Sequence, residues 1–363
     1  MVLYFLVLAV ALTEGPLISF QSLLLSTIGL ITIMLLFSNI AKRVNLVDVS
    51  DNKRKDHVGA IPLVGGIGLF ISFIYGAFVF GVNSFYLYIL GSLLPIMIVG
   101  VFDGIQEITV KPVIRIIAQI ISSWIIIIAT DIYIKDLGDI FGLGSLYIGQ
   151  FGIPFTIFSV VGICNAFNMI DGKDGLLGSI AIIIMSSLLL LLYFNNIIYQ
   201  WAQVVVLSTL VYLAFNLNLF GQKRKIFLGD HGSTGMGHII AWSLIYLSQE
   251  TDYITPVSAL WFVLLPLTDA ILTFVRRIKS SHSVFNADRL HFHHKLSDLG
   301  FSDKVILSVF SLITLISSLF AVVSNIFNLR EYSLFYGYIT LLIILILLGF
   351  INPKKTDKSL KRR

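Results

Sequence analysis

The stretch NMIDGKDG at 168–175 places two carboxylates, Asp171 and Asp174, between two long apolar segments. Acids at membrane depth are costly and usually face an ion, a partner or a polar cavity. On a helical turn, a spacing of three residues would put both carboxylates on one face. Paired carboxylates beside amide side chains suit Mg²⁺, which prefers oxygen ligands and keeps waters for a phosphate substrate. The alternative is a solvated turn that the Asp side chains hold by local hydrogen bonds.

Three further acids lie in or beside apolar segments: Asp103 in GVFDG, Asp230 in FLGDHGSTG and Asp269 in PLTDA. The glycine-rich turn around Asp230 runs into an apolar segment, and backbone amides at such a helix start can hold phosphate oxygens. Glycines also allow close helix packing in membranes, which is the alternative role of this stretch. For Asp269 the alternative is an ion pair with Arg276 or Arg277 on the same helix.

A histidine cluster, HFHH, occupies 291–294. The imidazoles of His291, His293 and His294 could bind a metal, clamp a phosphate or sugar, or form a pH-sensitive surface. Their spacing differs from that of closed zinc sites, which favours the phosphate or sugar clamp.

Long apolar helices must position these residues. The chain has 363 residues, of which 57% are hydrophobic and only 12% charged, about half the charge of a soluble domain. Its apolar runs reach about 20 residues, enough to cross a hydrocarbon core. We therefore predict an all-α polytopic integral membrane protein with about 11 transmembrane helices. The segments lie near 17–40, 61–81, 85–102, 113–133, 151–167, 176–195, 198–219, 233–249, 255–275, 305–327 and 333–351.

The basic residues predict the orientation of these segments. Of the 25 Lys and Arg residues, all but Lys135 and Arg330 fall on one side of the predicted membrane. Such a bias marks the cytoplasmic side, so the N-terminus is expected outside and the C-terminus in the cytoplasm. We interpret 1–363 as a single membrane-embedded domain, with an N-terminal extension at 1–15 and a basic cytoplasmic tail at 352–363. All the acids and histidines named above then share the cytoplasmic face.

Five motifs in a fixed order resemble a known family. They are RKDHVGAIPLVGG (54–66), GVFDG (100–104), NAFNMIDGKDGLLG (165–178), RKIFLGDHGSTGMG (224–237) and FNADRLHFHH (285–294). The sequence resembles the polyprenyl-phosphate N-acetylhexosamine-1-phosphate transferases, of the glycosyltransferase 4 type. Within them it is most similar to the branch that transfers GlcNAc-1-phosphate to undecaprenyl phosphate.

The resemblance implies a reaction at the cytoplasmic face of a bacterial inner membrane. Undecaprenyl phosphate in the lipid bilayer would attack the β-phosphorus of a UDP-N-acetylhexosamine and release UMP. The cofactor would be Mg²⁺, with Mn²⁺ as a substitute, and no nucleic acid would be involved. The DRLHFHH form favours UDP-GlcNAc as the donor, and the resemblance leaves a homodimer open.

The resemblance also assigns roles to single residues. Asp230 would be a direct Mg²⁺ ligand, and Asp171 and Asp174 would support the metal or the nucleotide. Asp103 would serve the lipid phosphate and its activation. The substrate-binding residues would be Lys55, His57, Asn165, Asn168, Arg289, His291, His293 and His294.

Two positions depart from the family pattern. The family usually has two adjacent aspartates where this chain reads Asp103 and Gly104. Asp103 alone could suffice, Glu107 one helical turn on could supply the missing charge, or the chain could be slow or inactive. At position 231 relatives more often have a small residue, whereas His231 adds a titratable group beside Asp230.

Two other classes of function compete with the transferase. A secondary transporter would use the acids to carry protons or Na⁺, but such sites usually lie near the membrane midplane and within repeats. Here the acids share one interface and the sequence has no visible repeat. A non-catalytic relative would bind lipid phosphate or nucleotide without turnover, with Gly104 as its mark.

Overall fold

A computed structural model describes residues 20–49, 59–80, 83–197, 200–279 and 291–350. Within these ranges the chain forms a helical bundle with one short two-stranded ribbon. The elements are α1 (Phe20–Arg43), β1 (Val47–Val49), β2 (Ala60–Pro62), α2 (Gly65–Phe80), α3 (Ser84–Gly104), α4 (Pro112–Thr130), α5 (Gly152–Ile170), α6 (Leu176–Phe194), α7 (Gln200–Asn216), α8 (Asp230–Gln249), α9 (Pro256–Phe262), α10 (Leu264–Lys279), α11 (Phe292–Asp298), α12 (Asp303–Ile326) and α13 (Glu331–Phe350). Short 3-10 turns at Gly149–Phe151 and Gln222–Arg224 precede α5 and α8.

The apolar segments predicted from the sequence all overlap helices. In the described ranges, five helices are long and apolar enough to cross a membrane: α3, α4, α5 with its preceding turn, α6 and α12. The bent pair α9 and α10 would make a sixth span, and the apolar stretches of α2, α7 and α13 are shorter. The helical membrane class is therefore confirmed, while the number of eleven spans and the orientation stay predictions. The extension at 1–15 and the tail at 352–363 lie outside the described residues.

Helix α8 lies at the centre of the bundle and packs against α2, α3 and α5. Nearly all of its residues are buried. Its first turns are rich in small residues, which lets neighbouring backbones approach closely. A Cβ added at Gly66 would lie 2.5 Å from the Cα of Gly232, and one at Gly100 would lie 2.6 Å from the Cβ of His231. The start of α8 is thus held between α2 and α3 by backbone contact.

The ninth predicted segment is broken rather than continuous. Helices α9 and α10 meet at an angle of 82°, and Val263 between them has a non-helical backbone. Pro266 explains the break, because its ring clashes with the carbonyl of the residue four positions back and it has no N–H to donate.

The antiparallel ribbon β1–β2 covers one end of the bundle, with Val47 opposite Pro62 and Val49 opposite Ala60. The segment before α8 joins this ribbon: the Phe227 amide donates to the Pro62 carbonyl over 2.9 Å. In return the amides of Gly65 and Gly66 donate to the carbonyls at positions 227 and 228. These bonds fix the chain that leads directly into Asp230.

The close contact between α2 and α8 predicts that a larger side chain at Gly66 destabilises the fold. Gly66→Ala should lower the free energy of unfolding by about 1–3 kcal/mol, because the new methyl group meets the Gly232 backbone and the fully buried ring of His231. Gly91→Ala is the matched control, since a Cβ at Gly91 meets nothing within 4 Å. Thermal unfolding in detergent measures both. Equal melting temperatures for the two variants would contradict the packing described here.

Candidate active site

A polar cavity of about 680 Å³ opens at the end of the bundle that carries the ribbon. The carboxylates of Asp103, Asp171, Asp174 and Asp230 all line it, so the structure brings together the four acids that the sequence analysis placed at the centre of the site. Its size is within the range of small-molecule pockets.

The loop 171–175 carries two of these acids between α5 and α6. The loop is not helical, so the two carboxylates do not lie on one helix face. Both line the cavity instead. Buried Asn216 of α7 holds the loop in place: its Oδ1 accepts from the Gly175 amide over 2.6 Å, and its Nδ2 donates to the Ile226 carbonyl over 3.1 Å. Lys225 Nζ lies 2.5 Å from Asp174 Oδ2. The loop and the chain before α8 are thereby joined.

Arg115 connects the two remaining acids. Its Nη1 lies 3.1 Å from Asp103 Oδ2 and also forms a short ion pair with Asp230 Oδ2. Asp103 ends α3, Arg115 lies in the first turn of α4 and Asp230 begins α8. One guanidinium therefore fixes the relative positions of three helix ends. A guanidinium suits this role because it has several donors in a fixed geometry.

Asp171 has an unusual acidity. Desolvation, followed by the nearby carboxylates of Asp230 and Asp174, raises the pKa of Asp171 from 3.8 to about 7. Burial is the main cause and the neighbouring negative charge adds to it, and a bound cation would favour the ionised form.

The histidine cluster packs behind the loop 171–175. His294 lines the cavity, whereas His291 and His293 are buried. His291 Nδ1 lies 2.9 Å from Asp269 Oδ2, and the other oxygen of Asp269 accepts from the Phe292 amide. Asp269 thus orients the cluster, a role that the sequence analysis had not considered. Burial, then the charge of His294, lowers the pKa of His293 to about 3, so its ring is neutral.

Comparison of the sequence with known proteins identifies the family of this chain. Residues 86–248 match the model of Glycosyl transferase family 4. The chain is 35% identical over 336 residues to the undecaprenyl-phosphate alpha-N-acetylglucosaminyl 1-phosphate transferase of Escherichia coli (strain K12), covering 90% of this chain and 88% of that protein. This chain belongs to glycosyl transferase family 4.

Two more undecaprenyl-phosphate alpha-N-acetylglucosaminyl 1-phosphate transferases extend the similarity within the family. The Yersinia pestis protein is 35% identical over 289 residues, covering 78% of this chain and 77% of the relative. The Haemophilus influenzae protein is 31% identical over 333 residues, covering 88% and 91%. The resemblance drawn from the five motifs is confirmed.

Not every residue predicted for the site of this family member reaches the cavity. Asn168 lines it and donates to the Ser233 hydroxyl over 2.9 Å. Asn165 instead donates to Gln119 Oε1 and the Val161 carbonyl, each over 2.7 Å, so its contacts are within the bundle. Lys55, His57 and Arg289 lie outside the described residues, and their roles stay predictions.

The cavity also contains functional candidates that the sequence analysis missed. Asp48 of β1 and Lys225 line it, and Arg115 joins two of its acids. The sequence offered one indication that Arg115 has a role in the site: it is a basic residue inside an otherwise apolar segment. Glu107, the suggested substitute for a second aspartate, accepts from Asn45 Nδ2 over 3.1 Å at an exposed position. Among the described residues Gln106, and not Glu107, lines the cavity.

The donor atoms of the cavity fit Mg²⁺. They are carboxylate and amide oxygens, which Mg²⁺ prefers over sulfur and imidazole. Within the described ranges no three His, Cys, Asp or Glu side chains converge to form a closed metal site. Mg²⁺ rarely needs one, because it usually binds one or two carboxylates together with waters and substrate phosphates. Asp230 and Asp171 would be the ligands.

The raised pKa of Asp171 makes cation binding depend on pH. In the folded protein the proton is retained up to about pH 7, well above its release in the unfolded chain, so the cation competes with it. Millimolar Mg²⁺ should therefore raise the melting temperature more at about pH 8 than at about pH 6. Differential scanning fluorimetry of the purified protein measures this.

Asp171→Asn is the control for this measurement, because it cannot titrate. The variant should lose most of the difference between the two pH values. If Mg²⁺ raises the melting temperature of the natural protein equally at both pH values, Asp171 is not the competing group.

Proposed function

We propose that this protein transfers N-acetylhexosamine-1-phosphate, preferably GlcNAc-1-phosphate, from a UDP-sugar to undecaprenyl phosphate and releases UMP. The product would begin a lipid-linked glycan of the cell envelope. The observation that carries the proposal is the cavity in which Asp103, Asp171, Asp174 and Asp230 meet at one end of an apolar bundle. The relatives named above are undecaprenyl-phosphate alpha-N-acetylglucosaminyl 1-phosphate transferases with 31–35% identity over most of the chain, and they support the same reaction.

The location of the cavity suits two substrates of opposite character. One substrate is anchored in the bilayer and the other is a soluble nucleotide, so the reaction requires polar groups at a membrane interface. The bias of Lys and Arg residues supports eleven spans, a cytoplasmic C-terminus and a site facing the cytoplasm of a bacterial inner membrane.

The chemistry is a phosphoryl transfer in which one P–O bond forms and one breaks. An oxygen of the lipid phosphate attacks the β-phosphorus, and the oxygen bridging to the α-phosphorus leaves with UMP. A phosphate monoester is largely ionised near pH 7, because its second pKa is about 6. The nucleophile therefore needs little help from a base.

The side chains mainly position the substrates and balance charge, which are the main contributions that proteins make to phosphoryl transfer. Arg115 holds Asp103 and Asp230 at fixed positions, while Lys225 holds Asp174. Bound Mg²⁺ would supply charge neutralisation at the diphosphate. His294 faces the same cavity and is placed to contact the diphosphate or the sugar.

The role of Asp230 can be tested by substitution. Asp230→Asn keeps the size of the side chain but removes the negative charge of a proposed Mg²⁺ ligand. The rate of UMP release should therefore fall by about a hundredfold or more. The assay supplies UDP-GlcNAc, undecaprenyl phosphate and Mg²⁺ to purified protein. Asp131→Asn is the matched control, because this side chain is 85% exposed at the far end of α4 and its loss should leave the rate unchanged. Full activity of folded Asp230→Asn would refute the metal assignment.

The position beside Asp103 can be tested in the same way. A Cβ at Gly104 would meet the ends of two flexible side chains, Leu46 at 2.8 Å and Leu63 at 3.3 Å. Gly104→Asp should therefore fold. Because an ionised phosphate needs little base help, the natural protein should turn over, and the variant should change its rate by less than about tenfold.

The same assay separates the competing explanations. Turnover by Gly104→Asp alone would mean that the natural chain lacks an essential carboxylate. Binding of UDP-GlcNAc without turnover by either protein would favour the non-catalytic relative instead.

A further inference from the structure

Among the described residues, three cations form ion pairs with carboxylates that line the cavity, and these cations differ in how firmly they are held. Arg115 is shared by two carboxylates, and Lys225, which is only 7% exposed, is held by Asp174. The third cation is Lys173, whose Nζ lies 2.8 Å from Asp303 Oδ1. Here the lysine is 19% exposed, but its carboxylate partner is 66% exposed.

The partner of Lys173 can be exchanged at low cost. Ion pairs with solvent-exposed carboxylates contribute only about 0–1 kcal/mol, because water solvates the separated charges nearly as well. Lysine also has a flexible stem and three donors, which lets its ammonium move between anions. Asp303 begins α12, whereas Lys173 lies in the loop 171–175, so the pair joins separate elements of the fold.

Lys173 lies where an anionic substrate would be held. It lines the cavity together with Asp171 and Asp174, which flank it in the chain, and with His294. The adjacent Gly172 lies against the imidazole of His293, since a Cβ there would be 2.2 Å from Nε2. The lysine therefore lines the same cavity as the acids proposed for the metal and as His294, which is proposed for the substrate.

We propose that Lys173 binds a phosphate oxygen of the UDP-sugar diphosphate and that Asp303 competes with the diphosphate for it. This inference rests on the proposed function, because that function supplies the diphosphate ligand. Diphosphate oxygens carry more negative charge than a single exposed carboxylate, and charge-assisted hydrogen bonds to them are correspondingly strong. Asp303 thus lowers the affinity for the nucleotide sugar rather than contributing to it.

Asp303 has a second, purely structural role that predicts a different result. An acidic residue in the first turn of a helix interacts favourably with the helix dipole. If that were its only role, Asp303→Asn would lower the melting temperature slightly and leave nucleotide affinity unchanged. Competition for Lys173 instead predicts tighter binding by the same variant.

Isothermal titration of purified protein with UDP-GlcNAc in the presence of Mg²⁺ tests the proposal. Lys173→Met keeps the length of the side chain without its charge, and it should weaken binding by about 5- to 30-fold. Lys173→Arg should remain within about threefold of the natural protein because it keeps the cation. Asp303→Asn should tighten binding by about two- to fivefold.

The double variant Lys173→Met/Asp303→Asn gives the sharpest result. When the lysine is absent, there is no ammonium group for Asp303 and the diphosphate to compete for. The double variant should therefore bind UDP-GlcNAc with the same affinity as Lys173→Met alone. Lys304→Met is the matched control: it removes a charge from an exposed residue beside Asp303, and affinity should stay within about twofold.

The outcomes separate this inference from the function on which it rests. UDP-GlcNAc binding without UMP release by the natural protein would refute the transferase while leaving the titration valid. Unchanged affinity in Lys173→Met, or unchanged or weaker binding in Asp303→Asn, would overturn the proposed competition even if the enzyme is active. No measurable binding by the natural protein would overturn both.

Discussion

Repulsion among carboxylates is the constraint that organises this protein. Asp103, Asp171, Asp174 and Asp230 line one cavity at the end of an apolar bundle, where the low dielectric strengthens every interaction between charges. Such a cluster is stable only if cations are fixed beside it. In the part of the chain that the structure describes, Arg115 and Lys225 are the two cations that pair with these four acids, and each joins an acid to a different element of the chain. The charge balance and the fold are therefore maintained by the same contacts.

The start of α8 shows how the bundle meets this constraint. Small residues let α8 contact the backbones of α2 and α3, and the strand-like segment at 226–228 bonds to the ribbon before the helix begins. Asn216, buried between the loop 171–175 and this segment, accepts from the Gly175 amide of the loop and donates to the Ile226 carbonyl of the segment. Buried polar groups with all partners in place give rigidity. The position of Asp230 is thus set from several directions at once.

The sequence predicted the helices well because hydrophobic length is a local property. The grouping of the four cavity acids was also predicted, because each acid lies at the end of an apolar segment and these ends were all predicted to face the cytoplasm. The features that the sequence analysis missed depend on contacts between residues that are far apart in the chain. The strands of the ribbon have only three residues each, too few for a periodic pattern. The partners of Arg115 and the inward direction of Asn165 depend on which helices become neighbours, and no local pattern encodes that choice.

The absence of a second aspartate at position 104 can be understood from the same charge balance. Arg115 already serves two carboxylates, and Asp171 retains its proton to about pH 7 because it is buried and, in addition, lies near the carboxylates of Asp230 and Asp174. A further carboxylate at 104 would add to that repulsion unless another cation, such as bound Mg²⁺, offset it. Asp48 on the facing ribbon brings an acid to the same cavity. Glycine at 104 therefore limits the charge that must be neutralised, while the ionised lipid phosphate needs little from a base at this position.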